Sequence, residues 1–597
     1  MFLFYVWRLS LRKYFLLAFL ALPSFLSLTA WLSAAQSGEE LYRVKAEFDI
    51  KVPMRDGVLL STDIYRPDTA GKFPVLLERT PYNNFDPATG YYFAQRGYAV
   101  VLQDVRGKYD SDGEFYPLVN EARDGYDTQE WCASQPWSNG KVGTMGGSYV
   151  GATQWLPAIL ANEHLVCMFP TVAGSNYYLH WKYDGGVFAL SFNTMWGIVS
   201  VASRVGQDMA AQPIDWNSLL SVLPLRELPS LLGRNAPWFR DWLAHPIYDD
   251  YWKKNRISGN YERIKVPAFN LGGWYDVFIH GTTENFSGMR ERGGSQVARE
   301  GQRLLVGPWF HTSPSRTKLG QVEFGAQAAV NETELQLKWF DYWLKEKQNG
   351  LDREAPVKLF VMGENRWRDF DSWPPRAIKT VEFFFHSRRG ANGLEGDGFL
   401  DRTAPAKNER VDTYTYDPAD PVPTLGGNDC CRETIVTQGP YDQRPVERRD
   451  DVMVYTSRAL SESLTVIGPV VVKLWAASSA VNTDFTAKLV DVYPDGQAIN
   501  LSSGILRAPF KDGFDRWSEL TPEQPYGFTI SLTPTANVFL PGHRIRVDIS
   551  SSDFPRFARN LNTPGSEIAD KTEMVTARQQ VFHDKIRQSR ILLPVLE

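Results

Sequence analysis

Apolar and polar residues alternate across residues 48–66 around Arg55-Asp56-Gly57, the period of a half-buried strand with a glycine placed to take the positive φ of a tight turn. The pattern predicts an opening β-hairpin. Short apolar runs follow at 73–77, 98–103, 142–145, 266–271 and 303–306, separated by longer stretches with helical spacing. Strands alternating with helices predict a mostly parallel sheet covered on both faces. Between 171 and 264 the chain turns Trp- and Tyr-rich at helical spacing, as at Trp238, Trp242 and Tyr251-Trp252, which predicts an inserted helical cap. Leu335, Leu337, Trp339, Phe340 and Trp343 supply the apolar residues of a closing helix over 332–347. From about residue 355 β-rich runs take over, at 381–385, 470–474, 485–492, 527–532 and 544–549, and Tyr493-Pro494-Asp495-Gly496 reads as a turn between two of them. The fold class expected is α/β: a domain in two parts, 40–175 and 264–352, interrupted by a cap over 176–263 and followed by a β-sandwich over 353–597. A polar, Pro/Gly-rich loop at 401–449 carries two adjacent cysteines.

Charge and composition narrow the setting. Arg8, Arg12 and Lys13 precede an uncharged stretch from 14 to 37, rich in Leu, Phe and Ala, that ends in Ser33-Ala34-Ala35-Gln36. This predicts an export signal cleaved after Ala35, or a membrane anchor if it is retained, since the apolar run exceeds an ordinary signal core. A periplasmic or extracellular protein is expected, touching a membrane only through residues 1–35. The net charge of −5 leaves no basic excess to release counterions from a phosphate backbone, so no nucleic-acid partner is expected. The 13% aromatic content, with 19 Trp, serves either large cores or an apolar binding surface. The 4 Cys permit disulfides without forming a dense framework. Cys430 and Cys431 are neighbours, so joining them to each other would strain the peptide, and bonds to Cys132 and Cys167 stay open. No Cys or His spacing resembles a zinc site, and no metal or organic cofactor is called for. Self-association into a homo-oligomer is compatible with the chain.

The sharpest chemical signal is Gly146-Gly147-Ser148-Tyr149-Val150-Gly151, after a short strand and before a helical pattern. A serine on such a turn has its hydroxyl pushed outward, and the next N–H, that of Tyr149, points to where an oxyanion develops. Serine needs a base, and the base an orienting acid, in the chain order Ser, acid, His. Of the 8 His, six fall before the next suitable strand or in the β-rich third, leaving His280 and His311. His311 follows the strand run at 303–306, where a base belongs in this topology. His280 reads as a packing or supporting residue. Asp276, at the end of Leu271-Gly272-Gly273-Trp274-Tyr275-Asp276, fits the acid. Asp104 and Arg106 are expected to pair and brace a loop, and Trp155 to lie in the core.

These residues resemble those of the cocaine-esterase-like and Xaa-Pro dipeptidyl-peptidase-like serine hydrolases, the CocE/NonD hydrolases. The resemblance rests on Val52-Pro53-Met54-Arg55-Asp56-Gly57, Arg79-Thr80-Pro81-Tyr82, Asp104-Val105-Arg106-Gly107, the 146–151 turn, His245-Pro246 with Tyr248-Asp249, Gly273-Trp274-Tyr275-Asp276, and Gly307-Pro308-Trp309 with His311. It implies an α/β-hydrolase domain with a helical cap and a C-terminal jelly-roll-like domain. It also implies Ser148 as nucleophile, Asp276 as orienter and His311 as base. Tyr82, which the residues alone would leave in the core, is implied as an oxyanion-hole donor opposite the Tyr149 N–H. Hydrolysis of an ester, amide or short peptide is expected, with carboxylesterase-like activity favoured because the hydrolase pattern starts directly after the export segment. An Xaa-Pro dipeptidyl-peptidase is the alternative, although no residue for its substrate's free amine is legible. Val277-Phe278-Ile279 offers no local support for the acidic cluster of the related α-amino-acid ester hydrolases. A non-catalytic binding protein on the same fold is the reading from a different class.

Overall fold

The protein is described by a computed structural model covering residues 41–205, 214–311 and 313–597. The expected export segment over 1–35 lies outside the described residues. Among the described residues no helix is long and apolar enough to cross a membrane.

The opening hairpin forms as the alternation requires: β1 (Val44–Pro53) pairs antiparallel with β2 (Leu59–Pro67), and Gly57 takes φ 84° in the turn. Then come β3 (Phe73–Thr80), β4 (Ala99–Asp104), β5 (Ser138–Gly147), β6 (Leu165–Thr171), β7 (Phe269–Gly273) and β8 (Arg303–Gly307). They are joined by β9 (Val357–Val361) and β10 (Arg366–Phe370) in one ten-stranded sheet of order β1-β2-β4-β3-β5-β6-β7-β8-β9-β10. Every pair from β4 to β9 is parallel. Buried apolar strands with helices on both faces are what that arrangement requires. The sheet therefore runs past residue 353, because β9 pairs parallel with β8 and β10 turns back on β9.

Helix α1 (Glu121–Ser134) and helix α2 (Tyr149–Ala158) pack on the sheet, α2 starting directly behind Ser148. Trp155 is fully buried, as a core residue should be. Helix α3 (Ile279–Arg292) follows β7, and α4 (Glu332–Lys345) packs with Trp339 and Phe340 inward, short of closing the domain because β9 and β10 follow it in the same sheet. The cap leaves the sheet after β6 and returns at β7. It is built from short helical pieces, including a π-helical turn at Met195–Ser200, packed through Trp181, Trp196, Trp238 and Trp242.

The C-terminal unit is an antiparallel β-sandwich with strands at Ile378–His386, Leu464–Ser478, Asp484–Val492, Tyr526–Phe539 and Arg544–Ser550, each containing one of the predicted runs. The turn at Tyr493 forms with Tyr493 N–H donating to Gln497 O at 2.8 Å and Gly496 at φ 90°. Bonds from Met362 N–H to Ala536 O at 2.9 Å and from Val538 N–H to Met362 O at 2.8 Å tie the sandwich to the end of β9.

Candidate active site

β5 ends at Gly147 and α2 begins at Tyr149, so Ser148 alone makes the turn, at φ 63° and ψ −124°. For a residue with a Cβ this costs on the order of 1–3 kcal/mol, and surrounding contacts have to hold it. Ser148 N–H donates to Thr171 O at 2.9 Å, and Ser148 O accepts from Gly151 N–H at 2.9 Å and Ala152 N–H at 3.2 Å. The flanking glycines are steric necessities. A Cβ on Gly146 would lie 2.2 Å from Val150 Cγ1, and one on Gly151 2.8 Å from Ala173 Cβ.

Two further loops at the carboxyl ends of β7 and β8 carry the acid and the imidazole. They approach because a Cβ on Gly273 would fall 2.3 Å from Trp309 O, and one on Gly307 2.5 Å from the Trp309 ring. Trp274 N–H donates to Gly307 O and Tyr275 N–H to Trp309 O, both at 2.9 Å, which zips the loops together. His311 Nδ1 and Asp276 Oδ1 then stand 2.7 Å apart with both side chains buried. A carboxylate on Nδ1 fixes the tautomer and leaves Nε2 free for proton transfer.

Tyr82 follows β3, with its N–H donating to the Thr80 hydroxyl at 3.0 Å. Its hydroxyl accepts from Trp196 Nε1 at 2.8 Å and also contacts the Ser148 side chain. Burial of that hydroxyl pushes its pKa up to about 12, so it stays protonated throughout the neutral range. The Tyr149 side chain turns into the core, accepting from Leu118 N–H at 2.9 Å and donating to Glu121 at 2.8 Å. Glu121 also meets Arg79 at 2.9 Å, and burial raises its pKa. The Tyr149 ring stacks on Trp196 at 5.6 Å.

Trp196 had no sequence signal to distinguish it from the other cap tryptophans, yet it touches both tyrosines beside Ser148. From it an arc of rings runs to Trp181 at 5.7 Å, on to Phe278 at 4.5 Å, and ends edge-on against His311 at 5.5 Å. The sandwich supplies a second residue that the sequence did not mark. Asn428, in the polar loop, donates to Trp274 O at 2.8 Å and Asp276 O at 3.1 Å, bracing the acid from behind.

Two expectations are corrected. Cys430 and Cys431 are joined to each other, while Cys132 and Cys167 are buried free thiols, so the bonds left open between the two pairs do not form. Arg106 pairs with Asp124 at 2.7 Å and Asp56 at 2.8 Å rather than with Asp104, whose pKa burial raises to about 7. Although no sequence spacing resembled a metal site, the fold brings His311, Cys430 and Cys431 together. His280 stacks on His180 at 3.9 Å, and burial, with the neighbouring His180, pushes its pKa down to about 3, in keeping with a packing role.

Serine after β5, aspartate after β7 and histidine after β8 follow the chain order of the α/β serine hydrolases. Comparison with known proteins narrows that class. The family described as X-Pro dipeptidyl-peptidase (S15 family) matches residues 56–313, and the X-Pro dipeptidyl-peptidase C-terminal non-catalytic domain matches 349–592. The cocaine esterase of Rhodococcus sp. is 37% identical over 575 residues, covering 92% of this chain and 98% of that protein. Among solved structures, an aminopeptidase from a marine sediment Thaumarchaeota archaeon superposes with a TM-score of 0.82 at 26% identity, covering 94% of this chain and 97% of that one. An alpha-amino acid ester hydrolase gives a TM-score of 0.82 at 27% identity, covering 93% and 97%. The chain belongs to the S15, or CocE/NonD, family of serine hydrolases.

Proposed function

We propose that the protein is a carboxylesterase that cleaves esters of apolar acyl groups through an acyl-enzyme on Ser148. The observation that carries this reading is the arc Trp196–Trp181–Phe278, which links Tyr82 and Tyr149 at one end with His311 at the other. In this reading the arc takes up an apolar acyl group and excludes water from the carbonyl being attacked. Likeness to the Rhodococcus cocaine esterase over nearly the whole chain supports an ester as substrate.

In this reading Ser148 Oγ attacks the carbonyl carbon while its proton passes to His311 Nε2, and Asp276 stabilises the imidazolium. The Tyr149 N–H and the Tyr82 hydroxyl receive the negative charge. His311 returns the proton to the leaving alcohol. Water then attacks the acyl-enzyme by the same route in reverse. Export is supported by Arg8, Arg12 and Lys13 before the uncharged stretch, and N-terminal sequencing of the protein from its native host tests it by the presence or absence of residues 1–35.

An X-Pro dipeptidyl-peptidase is the second reading, favoured by the family match and by the aminopeptidase likeness. One experiment separates the two: kcat/KM for a short-chain p-nitrophenyl ester beside a glycyl-prolyl anilide, with Ser148→Ala as blank. The esterase reading expects turnover of the ester, abolished by the substitution, and little of the anilide. A reversed preference makes the protein a peptidase.

A further inference from the structure

The loop that braces Asp276 also delivers two sulfurs to the catalytic imidazole. Gly426 and Gly427 take φ 68° and 94°, and Gly427 exchanges backbone bonds of 2.8 and 3.0 Å with Gly439. Asn428 is fixed to the Trp274 and Asp276 carbonyls, and its own side-chain oxygen accepts from the Thr533 hydroxyl at 3.2 Å. Asp429 accepts from the Ser191 hydroxyl and from Cys430 N–H, both at 2.7 Å. The next two residues have little freedom left. A ring nitrogen of His311 and the sulfurs of Cys430 and Cys431 all lie within 4.8 Å of one another, the one such grouping of three His, Cys or acidic ligand atoms among the described residues.

With Nδ1 held by Asp276, the nitrogen that His311 has to offer is Nε2. A carboxylate behind an imidazole orients a metal-binding histidine just as it orients a general base. Thiolate sulfur and imidazole nitrogen are the donors that zinc and its softer relatives select, at about 2.3 Å and 2.0 Å, and three such donors leave one tetrahedral position open. While the disulfide is closed its sulfurs are not thiolates.

We propose that Cys430 and Cys431, once reduced, form with His311 a three-ligand site for a thiophilic divalent cation such as Zn²⁺ or Cd²⁺, and that the bound ion shuts off hydrolysis. With a phosphine as reductant, the S–S bond breaks, each sulfur gains one electron and one proton, and the phosphine becomes its oxide by taking oxygen from water. The cation then displaces both thiol protons and accepts the Nε2 lone pair. Inhibition follows because that lone pair is no longer free to take the serine proton. The inhibition rests on His311 being the base in the proposed reaction, whereas the binding does not.

The test uses the full chain, reduced with a phosphine, desalted without air and titrated with Cd²⁺. The ultraviolet cadmium–thiolate band is expected to saturate at one ion per chain in wild type and equally in Ser148→Ala. Wild-type ester turnover should fall roughly tenfold or more in step with the band and return on chelation, because a metal-bound imidazole has no general-base capacity. The oxidised protein, and a Cys430→Ser, Cys431→Ser variant that retains Cys132 and Cys167 and matches wild type in circular dichroism, should show neither effect. No band in reduced wild type, or an equal band in the double variant, would overturn the site. A saturated band with turnover unchanged would remove His311 from it. If wild type cleaves no ester at all, the band still decides the binding while the reaction assigned to the site fails separately.

Discussion

Tyr82 is 40% exposed as a residue, yet its hydroxyl is enclosed between Trp196 and Ser148, and it is this titrating end that burial acts on. Because the Trp196 N–H already occupies a lone pair, the phenol proton is free to point at a developing oxyanion. Tyr82→Phe deletes that donor, and with it the acceptor of the Trp196 Nε1–H. A loss of about 2.7–4 kcal/mol of transition-state stabilisation corresponds to a kcat lower by about 10² to 10³, with KM nearly unchanged; steady-state kinetics that left kcat intact would place the oxyanion elsewhere. Against the ring of Trp196 lies a different kind of residue. Lys182 is fully buried, its Nζ has no hydrogen-bond partner among the described residues, and it sits 3.9 Å from the Trp242 ring, 4.3 Å from Trp196 and 4.4 Å from Trp181. Cation–π attraction of about 2 kcal/mol is smaller than the several kcal/mol needed to bury an ammonium, so burial wins and its pKa falls well below 10.5. The unfolded chain therefore binds a proton that the folded one lacks, and this group makes wild-type stability rise with pH in the window between the lowered folded pKa and 10.5. Lys182→Met keeps the volume and removes the titration. Chemical denaturation at pH 7 and pH 9 is expected to show the variant at least as stable as wild type at pH 7 and with a smaller gain on going to pH 9; a clear loss of stability at pH 7 would mean that the rings hold a charged amine.

At the scale of elements, Asp276 and His311 meet because β7 and β8 end in glycines. Gly273→Ala would put a methyl 2.3 Å from Trp309 O, which the backbone can accommodate only by parting the two loops. Overpacking of this sort costs about 1–3 kcal/mol. Thermal denaturation should show a lowered Tm, while turnover falls out of proportion as Asp276 and His311 separate; turnover unchanged in a folded variant would show that the loops tolerate the shift. Both glycines, and those of the 146–151 turn, were legible as motif before their steric reason was visible. The strands were legible where apolar runs were bounded by turns, as at β3, β4, β5 and β8. β6 was not, because Leu165–Thr171 is a continuous apolar run with a proline in it, and a strand buried on both faces has no alternation to separate it from a helix or from the aromatic cap that follows. β9 and β10 looked like the start of the sandwich because propensity does not say which sheet a strand joins. Trp196 and Asn428 escaped for the same reason: their positions depend on a π-helical turn and a long polar loop, and neither has a periodicity to read. The pairing of Cys430 with Cys431 escaped because adjacency alone argued against it.

At the scale of the molecule, the two units do not behave as beads on a string. One continuous apolar core runs from Leu76, Phe93 and Phe340 of the α/β domain to Ile530, Val547 and Leu593 of the sandwich. The cap leans on the sandwich as well: Arg507 N–H donates to Gly185 O at 2.8 Å, and a Cβ on Gly185 would fall 1.7 Å from Ile505 O. The buried Tyr275, next to Asp276, donates to Asn500 O at 2.9 Å. Asp276 of the proposed triad, the cap and the loop carrying Cys430 and Cys431 thus all depend on contacts made by the sandwich. Separate transitions are the ordinary expectation for a chain of this size with two domains. Here a shared core and interdomain hydrogen bonds placed at the site argue against it, since exposing the apolar face of either unit on its own would cost about 25 cal/mol for each Å² uncovered. Scanning calorimetry of the full chain is expected to give a single main endotherm, with loss of ester turnover following the same midpoint. Two resolved endotherms, with activity surviving the first, would show that the sandwich unfolds alone and that the site keeps its geometry without the hold of Asn428 on Asp276.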